Sequence, residues 1–280
     1  MGRFARSWEL VKASWAVLQA DKELLVFPIL STIAVGVVTA TFAVPMFLAG
    51  MFEAGVLRGG QIPILGILLG FGFYVAQYTI IFYCNSALVG AAMIRLKGGD
   101  PTLHDGFQIA NRHFTSILGY ALIAATVGII LRQIAQRGFI GRLVASVFGL
   151  AWNIATFLAV PVLVVEGVGP IEAVKRSTQL LKKTWGEQII GNLGLGAAFS
   201  LLVVAGLVVS GGALALAINL GSTALIVGVV ATFVLGSILL GLVGSALSAI
   251  YTAAVYRYAT EGDAGGLFDP ELVRSAFRVK

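Results

Sequence analysis

The stretch "LVKASWAVLQ", residues 10–19, returns as "LLKKTWGEQI" at residues 180–189, with Leu, Lys, Ser or Thr, and Trp in the same places. Around the first copy, Phe4, Trp8, Val11, Trp15 and Leu18 follow one another at spacings that keep them on one side of a helix. Arg6, Glu9, Lys12 and Gln19 take the other side. A shift of 99 residues lands on Leu103, Phe107, Ala110, Phe114 and Ile117. A shift of 170 lands on Val174, Thr178, Leu181, Trp185 and Gln188. Three amphipathic helices are predicted, each directly ahead of an apolar run. Aromatic rings suit the headgroup level, where an apolar face and a polar edge are both satisfied. Trp8, Trp15, Phe107, Phe114 and Trp185 are therefore expected at the membrane interface.

The rest of the chain says which solvent those helices border. Apolar residues make up 58% of the 280, charged residues 11%, and mean hydropathy is +0.95. A soluble domain is about 45–50% apolar and about 25% charged, so these charges are too few to cover a water-facing surface. The composition implies an all-α integral membrane protein. Six apolar segments are predicted to cross, near residues 24–52, 62–94, 114–131, 143–165, 189–209 and 223–258. Backbone amides in lipid have no water to bond, so each must be helical. Runs such as "LLVVAGLVV" lack the alternation of barrel strands. The second and sixth segments exceed one perpendicular crossing and are expected to continue past the bilayer at their C-terminal ends.

The predicted unit is an amphipathic interfacial helix followed by a transmembrane hairpin. It occurs three times, over residues 1–99, 100–168 and 169–268, with a terminal amphipathic segment at 269–280. Asp100-Pro101 and Asp269-Pro270 read as helix starts, Asp as N-cap and Pro as first helical residue, and Gly169-Pro170 as a weaker one. Fifteen of the 19 Lys and Arg fall on the side holding both termini, and only Arg58, Arg132, Arg137 and Arg142 on the other. The positive-inside bias then makes both termini cytoplasmic, in the plasma membrane. The acids Glu9, Asp21 and Glu23 and the long apolar run argue against a cleavable signal.

The net charge of +6 comes without an aromatic-interleaved basic run, so no nucleic-acid partner is expected. A single cysteine, Cys84, leaves no internal disulfide or CxxC site, and His104 and His113 lack neighbours at ligand spacing. No hydrolase, kinase or metalloprotease motif occurs, so neither enzyme activity nor a cofactor is expected.

The candidate sites are polar residues inside apolar runs. Tyr74, Gln77, Tyr78, Asn85, Asn153 and Asn192 form a candidate intramembrane seam, either as bonds between helices or as a polar pocket. Glu166 is a membrane-edge acid after "VPVLVV". Ser237, Gly241, Ser245 and Ala249, and the pair Gly66 and Gly70, read as close-packing seams. Pro45 and Pro161 should kink or end their helices.

The segments "RSWELVKASWAVLQADKELLVFPIL" and "AAMIRLKGGDPTLHDGFQIANRHF" carry a likeness over nearly the whole chain. The sequence resembles a family of uncharacterised prokaryotic multi-pass membrane proteins. It is loosely similar to the non-catalytic membrane domain of some glycerophosphodiester phosphodiesterases, whose catalytic barrel has no room here. Neither resemblance implies an activity. The expected role is binding or transport of a lipid or hydrophobic solute, or else service as a scaffold subunit. Expected partners are membrane lipids, another membrane protein, or a second copy.

Overall fold

The computed structural model describes residues 3–48, 64–185, 194–266, 268 and 273. Helices α1 (Arg3–Ala20), α2 (Val26–Leu48), α3 (Ile64–Leu96), α4 (Leu103–Arg112) and α5 (Phe114–Ala135) form the first half. Helices α6 (Gly138–Ala155), α7 (Ala159–Glu166), α8 (Pro170–Trp185), α9 (Gly194–Asn219) and α10 (Thr223–Glu261) form the second. A short 3-10 turn, Lys22–Leu25, joins α1 to α2. No strand occurs among the described residues.

Five helical stretches are long and apolar enough to cross a membrane: Lys22–Pro45, Gly66–Leu96, Phe114–Ala135, Gly138–Glu166 and Thr223–Glu261. The fifth expected crossing corresponds to α9, of which Val203–Asn219 reads as a shorter apolar helix. Helices α3 and α10 are 33 and 39 residues long. At 1.5 Å per residue they reach about 50 and 58 Å, more than a bilayer needs. The excess is used at their C-terminal ends. Residues 87–93 of α3 and 246–256 of α10 are almost all buried, with alanines repeatedly at the contact. Small side chains let the two backbones approach.

The amphipathic helices close this end of the bundle. Helix α4 packs on α3, α8 packs chiefly on α7, and α1 packs on α9 and α10. Glycine 106 of α4 makes the first contact close: a Cβ there would stand 2.8 Å from the Ala87 carbonyl oxygen and 2.5 Å from the Phe27 ring. Arg95 donates to the Ala20 carbonyl at 3.3 Å and to Asp100 at 3.2 Å. Arg257 donates to the Leu96 carbonyl and, at 2.8 Å, to Asp263. Two arginines thus tie the ends of α1, α3 and α10 together.

Several expectations are corrected. The N-cap of α4 is Thr102, whose hydroxyl accepts from the Asp105 amide while Asp105 accepts from the Thr102 amide. This reciprocal box satisfies two free amides at once, so it outcompetes Asp100, which turns to Arg95 instead. Pro170 does open α8 as read. The fourth segment is two helices, broken at 156–158, and Pro161 lies in the first turn of α7. In a continuous helix its ring would strike the carbonyl four residues back, so the break comes one turn early. Pro45 neither ends α2 nor precedes its last described turn.

The face that α1 turns to the protein carries Leu10, Ser14, Val17 and Leu18; of the expected stripe Leu18 is buried there and Val11 packs at its edge. Trp8 and Trp15 are 53% and 42% exposed. Phe114 is exposed as well. Phe107 packs on Phe27 and Tyr83, with centroids 5.1 and 5.9 Å apart. The Trp185 side chain, Asn192, and the helix start at Asp269-Pro270 lie outside the described residues. Glycines 70 and 241 have open space where a Cβ would go, so they do not form the expected close seams.

Candidate functional site: a polar chamber at bilayer depth

A cavity of about 550 Å³ lies between α2, α3, α5, α6, α7 and α10. That is within the roughly 300–1,000 Å³ of small-molecule sites. Helix α3 brings Tyr78, Cys84 and Asn85 to it, and α2 brings Phe27, Pro28 and Ser31. Helix α5 adds Tyr120, Ala124 and Gly128. The α6 wall carries Trp152, Asn153 and Thr156, and the α10 wall Ser245, Ser248 and Thr252. Among the described residues no lining residue is charged. From Asn85, Asn153 and Ser248 the helical segments continue 11 to 13 residues to Leu96, Glu166 and Glu261. At the helical rise this puts the chamber roughly 17–20 Å from those ends, where the buried C-terminal parts of the helices give way to their exposed apolar parts.

The two walls bearing Asn153 and the serines are not packed on each other. Helix α6 leans on α5 and α8, with at most marginal contact to α10. Asn153, Ser245 and Ser248 are correspondingly exposed although they lie in membrane-spanning segments. Neither Asn85 nor Asn153 has a hydrogen-bond partner among the described residues. A carboxamide at such depth ordinarily finds a partner on a neighbouring helix. By contrast, Gln77 donates to Thr39 at 2.8 Å across α3 and α2. Tyr74 accepts from Arg132 at the outer end of α5. These two seam residues are interhelical bonds outside the chamber, whereas Tyr78, Asn85 and Asn153 are brought together in it.

Sequence reading missed Ser31, Tyr120 and Thr156, and it took Ser245 for packing when it lines the chamber. The adjacent pair Trp152-Asn153 in an apolar run is the signal that marked the α6 wall. Cys84 lies on the chamber, buried, and Ser31 bonds to it.

The break below α6 is held from the side of the amphipathic helices. It frees the Leu158 amide, which donates to the buried Ser177 hydroxyl of α8 at 3.0 Å. The membrane-edge acid Glu166 is not a lone group. Both its oxygens accept from Arg176 Nε at 3.2 Å, and Tyr256 donates to it at 3.2 Å. This partly exposed triad fixes α8 against α7 and α10. Among the described residues no group of three potential metal ligands occurs.

No curated protein and no solved structure matches the chain, and no link to glycerophosphodiester phosphodiesterases emerges. The profile of a family of unknown function (DUF6159) matches residues 64–266, which includes every chamber wall except α2. The chain belongs to that family, DUF6159.

Proposed function

We propose that this protein is a non-enzymatic membrane protein that binds or transports a lipid or hydrophobic solute in the chamber. The observation carrying this reading is the pair of unpacked, polar walls α6 and α10, both belonging to membrane-spanning segments. Exposing Asn153, Ser245 and Ser248 to hydrocarbon alone is unfavourable, whereas an amphiphile entering sideways meets both its apolar and its polar needs. A scaffold subunit has no use for such a chamber. The outer part of the α9–α10 hairpin, apolar and exposed from Val203 to Leu239, is what a self or partner contact would use.

The chain crosses the plasma membrane six times in this reading, with α9 as the fifth crossing and both termini cytoplasmic. Two features support three repeated units. Helices α4 and α8 each pack mainly on the hairpin that precedes them, and α1 completes the ring on the third hairpin. Each hairpin also ends at a left-handed glycine, Gly98, Gly167 and Gly262, where φ is 87°, 66° and 75°. Labelling of a cysteine at position 137 from outside the cell checks the topology, and labelling from inside overturns it.

Purification in mild detergent followed by native mass spectrometry tests the function. The expected result is retained lipid that Ser248→Trp, which fills the chamber, removes. A homogeneous protein with no bound lipid, or a stable protein partner in its place, overturns the reading.

A further inference from the structure

The geometry points to a neutral amphiphile, with a hydroxyl, ester or amide head and a hydrocarbon tail, as the ligand class of the chamber; this rests on the lipid-binding reading above. The lining offers donors and acceptors but no charge. Its polar groups are hydroxyls and two carboxamides, and those of Asn85 and Asn153 have no partner among the described residues. A carboxamide both donates and accepts, which matches an alcohol or ester and not a bare anion. A phosphate or carboxylate drawn to this depth would leave water without gaining a countercharge. Among the described residues no cation lines the chamber. Arg132 is bonded to Tyr74 outside the lining, and Arg176, Arg95 and Arg257 are paired with acids at the cytoplasmic end. The remaining lining residues, such as Leu88, Val127 and Phe157, suit a tail.

The probes are a diazirine-bearing diacylglycerol and the phosphatidic acid with identical acyl chains, which differ only in the phosphate. Each is photolysed with the full-length protein in nanodiscs, and the labelled peptides are read by mass spectrometry. Labelling of α3, α6 and α10 peptides around residues 85, 153 and 248 should favour diacylglycerol by at least about tenfold. Asn153→Leu should reduce that labelling. Asn153→Lys, at an exposed position, should shift the preference toward phosphatidic acid. Equal labelling by both lipids in the unaltered protein, or no shift with Asn153→Lys, overturns the neutral-ligand inference and leaves lipid binding standing. Absence of labelling by either lipid overturns both.

Discussion

The two ends of the bundle are built from similarly apolar sequence but are packed differently. At the end capped by the amphipathic helices, residues 87–93, 158–164 and 246–256 are nearly all buried beneath α1, α4 and α8. At the outer end, away from those helices, Phe139, Ile140, Val208, Val209 and Leu235 are each more than 60% exposed. Lipid supplies no hydrophobic force between helices, so apolar residues alone do not draw them together. Where water begins, amphipathic helices have a face to bury, and the hydrophobic effect returns. The rigid end therefore coincides with the interfacial helices. The chamber sits at the transition, where helices held at one end are free to part.

The sharpest way to break this contrast is to place the same substitution in both halves. Gly106→Ala forces a methyl against the Ala87 carbonyl and Phe27, and overpacking of this kind costs about 1–3 kcal/mol. Gly241→Ala meets open space and should leave thermal stability in detergent unchanged or slightly raised. Equal losses at the two sites would show that the outer half is packed after all.

Ser177→Ala comes next. It orphans the buried Leu158 amide, at a cost of about 1–3 kcal/mol, and frees the break below α6. Because α6 is otherwise held mainly by α5, hydrogen exchange should rise in 149–158 more than in α3. Exchange rising equally in both would remove the link between α8 and the α6 wall.

Thr102→Ala removes the capping box and should cost about 0.5–2 kcal/mol by thermal unfolding in detergent. This tests whether α4 is an independent support of the packed end.

The smallest effect is on pH dependence, where two aspartates act in opposite directions. Burial raises the Asp21 carboxyl above its usual 3.8, against the lowering pull of the Glu23 amide and Arg95. Its charged form is thus disfavoured by folding, and stability contributed at this site rises as pH falls from above the folded value toward 3.8. The hydrogen bonds from Thr102 lower the Asp105 carboxyl. Its stabilisation is present above 3.8 and is lost as pH falls through the folded value. Asp21→Asn should flatten the rise above 3.8, and Asp105→Asn the loss below it, in melts taken against pH.

Much of the fold was legible because the solvent dictates it. Apolar runs in lipid must be helical, and the aromatic periodicity marked α1, α4 and α8 correctly. The site was legible only in part. Tyr78 and Asn85 stand seven apart on one helix face, and Asn153 stood out by polarity. Period alone does not say which helix that face meets, so Gln77 and Tyr74 were grouped with them although they bond to Thr39 and Arg132. Serines and threonines are quieter still. Thr252 and Thr156 each donate to the carbonyl four residues back, as do threonines on surfaces with no site. Their sequence signal is the same in either setting. The break before Pro161 was displaced because proline excludes the turn before it, not its own.

Closing the gap tests the central claim. In a Cys84→Ser background, Asn153→Cys and Ser248→Cys put one thiol on each unpacked wall, and bifunctional maleimides of increasing length tie α6 to α10. Exchange of a labelled diacylglycerol between nanodisc and protein is then followed. Entry between these helices predicts that the tie stops exchange and that cleaving a reducible linker restores it. Exchange continuing at the same rate with the walls tied would contradict it.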